Sequence, residues 1–375
     1  MARPLRVFIT GAGGIGSATA LILREMAGRP IDIDLGDVRA EAAAAAVDWL
    51  PANPATGAAR AVTMTAEPPA DLGDCDLLLD CLPGSEAPRM AGWARAHGLH
   101  YANLTEHVEE TREVLAIAAG ADTGFLLQTG LAPGFVDVLA NGLVQRFREV
   151  HEVDRLERVA MRVGALPAHA RPPSYYGFTW SPIGVATEYV KPSVVLRDYQ
   201  VKELPALSDR ARVIIGEKAL EEALTSGGAA DLPQAFAGVV RTLDYKTLRH
   251  IGHYDWVKGL VAGLPDAADR PEKLLAAMKR VTPFVDVDDE VVIYVAVDGF
   301  VAGDLHRMEK SYSIRSAPIG GKRLKAIQAT TAASLAQSAL LLADGKHRGP
   351  VLQSQLEPWS FLEGAIVRQV YGTGR

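Results

Sequence analysis

One stretch constrains this chain more than any other: Arg6-Val-Phe-Ile-Thr-Gly11-Ala-Gly13-Gly14-Ile15-Gly16. A short apolar run (Val7, Phe8, Ile9) breaks into three spaced glycines, and an alanine-rich helical pattern follows from Ser17 to Met26. A G-x-G-x-x-G spacing alone carries little weight. Placed between a strand and a helix, it has a mechanism: the first glycine permits a tight turn, the second lets backbone approach a pyrophosphate, and the third lets helix and strand pack closely. The helix N-terminus then points its free N–H groups at the phosphates. A bare strand-to-helix turn without a ligand is the bland alternative, and a following acidic residue argues against it. Ile31, Ile33 and Leu35 alternate as a strand that ends at Gly36-Asp37. Asp37 stands about 20 residues beyond the glycines, the offset of a carboxylate that binds the ribose 2′-hydroxyl. Asp32 and Asp34 compete with it but fall inside the strand. A carboxylate there repels a 2′-phosphate, so NAD is favoured; Arg39 nearby leaves NADP open.

Strands and helices continue to alternate. A helix is expected over about 40–50, stopped by Pro51 and Pro54, and then a strand near 61–65. Asp76-Leu-Leu-Leu-Asp80-Cys81-Leu82-Pro83-Gly84 reads as a buried parallel strand that ends in a turn, because its apolar residues are continuous rather than alternating. In a doubly wound sheet that turn lies beside the glycine loop, which makes Cys81, Leu82, Pro83, Gly84 and Ser85 candidate cofactor contacts. A strand at 125–128 runs into the Gly130-Leu-Ala-Pro133-Gly134 turn. The fold class is therefore α/β, with a Rossmann domain over about residues 1–145.

Beyond that point the pattern changes. Leu156–Leu166 alternates as a strand with one exposed face, Ser181-Pro182 opens a helix, and Val194–Leu204 forms a hairpin about Asp198-Tyr199. Helices are expected over 254–264 and 272–280. Glu290–Val297 and Leu305–Ile314 read as strands joined at Asp298-Gly299, an Asp-Gly hairpin signal. The middle region is thus α+β with a mostly antiparallel sheet. A helix over 324–343, rich in Ala, Leu, Ser and Thr, packs back on the first domain.

Composition excludes several classes. A net charge of −6 with no dense Lys/Arg tract argues against nucleic acid or a membrane surface as partner. No uninterrupted run of 18 apolar residues marks a membrane span. The first strand begins within six residues, leaving no room for a signal peptide, and the two cysteines, Cys75 and Cys81, read as reduced thiols. A cytoplasmic enzyme is expected. The histidines form no ligand-spaced pair, so no metal site is expected.

Loops that mix glycine, aromatic and charged residues are where sites sit, and three stand out in the middle region: Ser174–Pro182, Thr225–Gly228 and Asp244–His253. A nicotinamide enzyme needs a cation for a substrate carboxylate, a group that moves a proton, and a wall over the ring. Arg249 supplies a guanidinium, His253 and Lys246 are proton carriers by type, and Glu188 or Asp137 suits an ammonium. Taken singly, each has a plain alternative: a surface arginine, a hydrogen-bonded structural histidine, packing aromatics.

Taken together, these stretches resemble a known family. Gly11–Gly16 with Gly36-Asp37-Val38, Gly130–Gly134, Thr179–Gly184 with Glu188-Tyr189, Thr225–Gly228, and Leu243-Asp-Tyr-Lys-Thr-Leu-Arg249 with Gly252-His253 are similar to the saccharopine dehydrogenase (reductase-type) superfamily, most of all to its lysine 6-dehydrogenase branch. The resemblance implies a Rossmann domain (1–145 and 320–375) completed by C-terminal helices, with a substrate and dimerisation domain (146–319) inserted. It implies NAD(P)-dependent oxidation of a CH–NH centre on an amino acid, whether by oxidative deamination or on a secondary amine of the opine type; a non-catalytic NAD-binding regulator is the contrasting reading. It also implies a homodimer and a small amino-acid-like substrate. On the resemblance, Val38 and the Gly130-Leu-Ala-Pro133-Gly134 turn join the cofactor candidates. Arg249 takes the carboxylate, with Glu188, Trp180, Tyr176, Ser226 and Asp137 lining the substrate. His253, Tyr245 or Lys246 would handle a proton or orient a water. The chain departs from the family pattern at Asn103-Leu-Thr-Glu106 and at Ile251, both near the expected pocket, which leaves the substrate open.

Overall fold

The computed structural model describes residues 3–106, 108–282 and 288–374. The chain divides into two units, the first comprising Met1–Phe135, Ala317–Leu324 and Gln328–Gly372, the second Val136–Ser316, Lys325–Ile327 and Thr373–Arg375.

The first unit alternates strand and helix: β1 (Leu5–Thr10), α1 (Gly14–Met26), β2 (Ile31–Asp37), α2 (Ala40–Trp49), β3 (Ala59–Thr63), β4 (Leu77–Asp80), α3 (Ala87–His97), β5 (His100–Asn103), α4 (Val108–Ala118) and β6 (Gly124–Leu126). They form a parallel sheet ordered β6-β5-β4-β1-β2-β3, and a short strand at Gly349–Val351 adds a seventh place beside β6. This is the doubly wound order in which the chain reverses direction across the sheet between β1 and β4, and ligands of such sheets bind at the carboxyl ends of the strands at that reversal. Val7, Phe8 and Ile9 and the whole of β4 are buried, as continuous apolar strands in a two-sided sheet must be.

In the second unit, α5 (Phe135–His151) leads into β7 (Leu156–Pro167), α6 (Pro182–Glu188), β8 (Ser193–Arg197), β9 (Gln200–Leu204), β10 (Ala211–Ile215), β11 (Lys218–Leu224), α7 (Leu232–Ala235), β12 (Val240–Arg249), α8 (His253–Ala262), α9 (Arg270–Lys279), β13 (Asp289–Val301) and β14 (Asp304–Arg315). The main sheet runs β10-β11-β12-β7-β13-β14, with the β8–β9 hairpin added on β12. Within this sheet, only the β12–β7 pair is parallel among the described strands. The expected turn at Asp198-Tyr199 is present, both residues with positive φ.

Two expectations need correction. β7 lies between β12 and β13 and is buried along nearly its whole length, so it has no exposed face. The β13–β14 hairpin turns at Ala302-Gly303, both at positive φ, while Asp298 and Gly299 stay in the ladder opposite Arg307 and His306. Gly299 is there for packing: a Cβ on it would come within 2.7 Å of the Phe147 ring. One helix, α10 (Ala326–Ala343), is long and apolar enough to cross a membrane by length and composition alone, but its apolar run is interrupted by Gln, Thr and Ser and 72% of it is buried inside the protein. Thr330, Ser334 and Ser338 in it are fully buried, and Ser338 returns its hydroxyl to the Ser334 carbonyl at 2.9 Å. The Ser338 hydroxyl is thus satisfied by the helix itself, as a core helix allows.

Candidate active site

The glycine loop joins β1 to α1 at the sheet reversal, and each of its spaced glycines has a separate reason to be there. Gly11 has φ +92°, and a Cβ on it would lie 3.0 Å from the Cys81 carbonyl oxygen and 3.2 Å from the Leu82 side chain. Gly16 packs against the carbonyl of Gly11, where a Cβ would sit 1.9 Å from oxygen. Gly14 lies under Gln328. Gly13 differs: its φ of −78° suits any residue, and a Cβ would meet nothing within 4 Å. Nothing in the folded chain requires glycine at 13, whereas a pyrophosphate drawn up to the backbone would. Gly14, Ile15 and Gly16 are themselves the opening residues of α1, with Gly13 at its N-cap.

Asp37 ends β2 at the same edge. Its carboxylate is held by two backbone donors, Ala12 N–H to Oδ2 at 3.1 Å and Arg39 N–H to Oδ1 at 3.0 Å, so it is fixed to the glycine loop itself. Its rivals are engaged in structure: Asp34 is paired with Arg6 and Arg60, and Asp32 accepts from the Ala58 N–H. Val38, next to Asp37, is 65% exposed, an apolar side chain left open at the end of β2. On the other side of the loop, Cys81 donates its N–H to the Thr10 carbonyl and Leu82 backs Gly11, while Pro83 is exposed. The Gly130–Gly134 turn is closed on itself: Gly134 has φ +134°, a Cβ there would lie 2.1 Å from the Gly130 oxygen, and the Phe135 N–H bonds that oxygen. Those two glycines, with Pro133 between them, are explained by the turn alone.

In the second unit, the run 244–253, read from sequence as a loop, is instead the second half of β12 followed by the start of α8. A strand turns successive side chains to opposite faces. That rule separates the candidates. Tyr245, Thr247 and Arg249 share one face, and Asp244, Lys246 and Leu248 share the other. Lys246 is bonded to Glu222 at 3.0 Å and to the Asp209 carbonyl, in a buried network where Arg162 bridges Glu222 and Asp244 and Arg197 reaches Asp244. It is a structural ion pair.

On the first face the aromatic and charged groups converge. Arg249 is 2% exposed, with Nε donating to the Tyr189 hydroxyl at 2.7 Å, Nη1 to the Leu248 carbonyl at 3.1 Å, and Nη2 facing Glu188 Oε2 at 3.9 Å. Its guanidinium lies 4.9 Å from the centre of the Tyr176 ring and 5.6 Å from that of Tyr189, a cation–π arrangement that favours the charged form in a desolvated place. Because Tyr189 accepts from Arg249, its own hydrogen goes to His253 Nε2 at 2.9 Å; the Nδ1–H of His253 then donates to the Ser174 carbonyl at 2.7 Å. Burial, reinforced by the Arg249 charge, holds the His253 pKa down to about 3. Both ring nitrogens are thus engaged and the imidazole is neutral in the neutral range. Burial pushes Tyr176 up to about 12.

The other candidates gather around this group. The Ser226 N–H bonds the Glu188 carbonyl, and Gly228 lies flat against the Tyr245 ring, where a Cβ would come within 2.3 Å. Burial raises the Tyr245 phenol, with the Glu188 and Asp137 charges adding to the rise. Trp180 packs against Gly184 of α6, which Ser181 caps as expected. Sequence reasoning gave no site role to Tyr189, Ser174 or Tyr254, although Ser174 opens one of the stretches singled out and Tyr189 stands in one that resembles the family. Tyr254 Oη donates to the Thr247 carbonyl, and its N–H is held by Glu221. No periodic signal marks any of the three; Tyr189 could have been found only from its place beside Glu188. Among the described residues, no group of three or more His, Cys, Asp or Glu side chains could hold a metal ion.

Comparison with known proteins agrees with this layout. A family model described as the saccharopine dehydrogenase NADP binding domain matches residues 7–124, and one described as the saccharopine dehydrogenase C-terminal domain matches residues 130–363. Among solved structures, saccharopine dehydrogenase (L-Glu forming) from Saccharomyces cerevisiae is 15% identical, covers 99% of this chain and 98% of its own, and superposes with a TM-score of 0.74. Homospermidine synthase from Legionella pneumophila, solved with NAD, is 13% identical over 100% of this chain and 91% of its own, with a TM-score of 0.66. At such identities these two likenesses concern the fold.

Proposed function

Because this chain belongs to the saccharopine dehydrogenase family, we propose that it is an NAD(P)-dependent amino acid dehydrogenase that oxidises a CH–NH centre, in the manner of a lysine 6-dehydrogenase. The observation that carries the reading is the buried Arg249–Glu188 pair, with its opposite charges 3.9 Å apart under aromatic walls. A zwitterionic amino acid meets such a pair charge for charge, its carboxylate on the guanidinium and its ammonium beside the carboxylate. Desolvated charges are tolerated only when so matched.

The first unit fits a dinucleotide at Gly11–Gly16 and Asp37, and the open space over Gly13 supports that fit. Those residues would hold the dinucleotide, which would supply a hydride acceptor for the carbon that carries the nitrogen. Glu188 holds the α-ammonium in its charged form, so the reacting nitrogen is the side-chain amine: it gives its proton to solvent before entering the site, and its lone pair forms the C=N bond as the hydride leaves. Tyr176 and Trp180 wall the substrate and exclude water. His253 is a positioning residue on this reading. By accepting the Tyr189 hydrogen it leaves the Tyr189 lone pairs turned to Arg249, which fixes the guanidinium. Lys246 has no part in the chemistry. The free thiols Cys75 and Cys81 suit a reducing compartment, and a cytoplasmic homodimer belongs to the same proposal.

A panel of amino acids and secondary-amine opines, assayed with NAD and with NADP for formation of the reduced nicotinamide, tests this. Oxidation of a primary amine with release of ammonia is the expected result; turnover of opines alone would move the reaction to a secondary amine, and binding without turnover would make the chain a regulator. On the substrate found, Arg249→Lys should raise KM about 10- to 100-fold, as loss of a bidentate charged contact does. Full activity of Arg249→Ala would remove the carboxylate assignment.

A further inference from the structure

Asp80 is the last residue of β4, and its carboxylate is buried at the sheet reversal. Oδ1 accepts from the Thr10 hydroxyl at 3.0 Å and from the Leu82 N–H at 3.0 Å, while Oδ2 accepts from the Tyr101 hydroxyl at 3.0 Å. Thr10 precedes Gly11, Leu82 backs Gly11, and Tyr101 lies on β5. One carboxylate therefore fastens the ends of β1 and β4 to the second residue of β5, around the turn that abuts the glycine loop. The mechanism above makes no use of it.

The arrangement also has room for a proton. The Tyr101 hydroxyl lies 3.3 Å from a second acceptor, the carbonyl of Ala87 at the start of α3. With a proton on Oδ2, Asp80 donates to the Tyr101 oxygen and Tyr101 passes its own hydrogen to Ala87. No polar group is orphaned. What changes is the acceptor strength at Oδ1, since a neutral carboxyl holds the Thr10 and Leu82 donors less firmly than a carboxylate.

We propose that Asp80 is a positioning residue of the dinucleotide crevice, holding the Cys81–Pro83 turn against Gly11 when ionised and slackening it when protonated. The proposal rests on the reading that this crevice takes the dinucleotide. Burial pushes Asp80 up to about 6, against the bonds from Leu82, Tyr101 and Thr10, so the change falls in an accessible range. Of the other ionisable groups that surround it, Tyr101 and Cys81 are both pushed up by burial and stay neutral there, and Glu86 is ion-paired with Arg89.

Equilibrium titration of NADH and NADPH against the whole protein, followed by fluorescence between about pH 5 and pH 8, tests it. The dissociation constant of the wild-type protein for the preferred dinucleotide should rise about fivefold on acidification, the size of one weakened hydrogen bond, with its midpoint near the Asp80 pKa. Asp80→Asn reproduces the protonated pattern, because its amide donates to Tyr101. It should bind at neutral pH as weakly as wild type does in acid, with no pH step. Tyr101→Phe removes a donor to the charged form and should move the midpoint upwards. A flat wild-type profile, tighter binding in acid, or a step that survives in Asp80→Asn overturns the role of Asp80 while leaving the crevice a dinucleotide site. Failure to bind either dinucleotide at any pH overturns both.

Discussion

The Tyr189 hydroxyl is the hinge of the substrate-side cluster, since it receives from Arg249 and gives to His253. An imidazole whose lone pair is already occupied, and whose pKa burial has driven down to about 3, cannot trade protons with a substrate near neutrality. His253→Gln should therefore leave the shape of the pH profile of kcat/KM unchanged while raising KM about tenfold, through a less fixed Arg249. Loss of a limb near neutral pH in that variant would make His253 the proton carrier after all. Asp37 is held on the glycine loop by two backbone donors. Its carboxylate gives a diol two acceptors and a phosphate a repulsion. Asp37→Ala should weaken NAD about tenfold and NADP little or not at all, which paired binding titrations would read out. Equal weakening of both would remove the argument for NAD.

At the scale of elements, the β13–β14 hairpin shows how a correct local rule can be satisfied in the wrong place. Asp298-Gly299 is a turn dipeptide by type, yet the chain turns four residues later, at Ala302-Gly303. Gly299 is glycine because Phe147 of α5 packs on it. Ala302 meanwhile holds a left-handed φ of 51° that asparagine tolerates better. Ala302→Asn should stabilise the protein by about 0.5 kcal/mol in denaturant titration, and Gly299→Ala should cost about 1–3 kcal/mol by overpacking. The opposite ranking would put the turn back at 298–299. Much of the fold was legible where one residue has one physical reason: Gly11 and Gly16, the Asp198-Tyr199 turn, the Ser181 cap. The candidate site was legible by residue type but not by face. Once 240–249 is a strand, its period of two sends Lys246 to the Glu222 side and keeps Tyr245 with Arg249. Read as a loop, the same residues carry no such rule. Tyr189 was hidden for another reason, since only the three-dimensional meeting of α6, β12 and α8 gives it two partners.

For the molecule as a whole, two buried groups in different units act on acid stability with opposite signs. His253 has its pKa lowered from 6.5 to about 3, so the unfolded chain binds one more proton than the native state between those values. Its contribution is fully present above about pH 6.5 and is lost as the pH falls. Asp80 has its pKa raised from 3.8 to about 6, so in that interval the native state binds the extra proton. Its contribution is present below about pH 3.8 and is lost as the pH rises through 6. Each group alone tilts stability by about 1.4 kcal/mol per pH unit, in opposite directions, and between about pH 4 and pH 6 the two slopes cancel. Asp80→Asn deletes one of them. Relative to wild type, its unfolding free energy should gain about 1.4 kcal/mol for each unit that the pH rises across that window, as the slope due to His253 is unmasked. His253→Gln should show the converse, becoming less stable than wild type by a growing margin as the pH rises. Urea titrations at several pH values in that window measure both differences, and the comparison with wild type removes the contribution of every other titrating group. A constant offset between Asp80→Asn and wild type would mean that Asp80 has the same pKa folded and unfolded. The bonds it makes to Thr10, Leu82 and Tyr101 would then balance its burial in full.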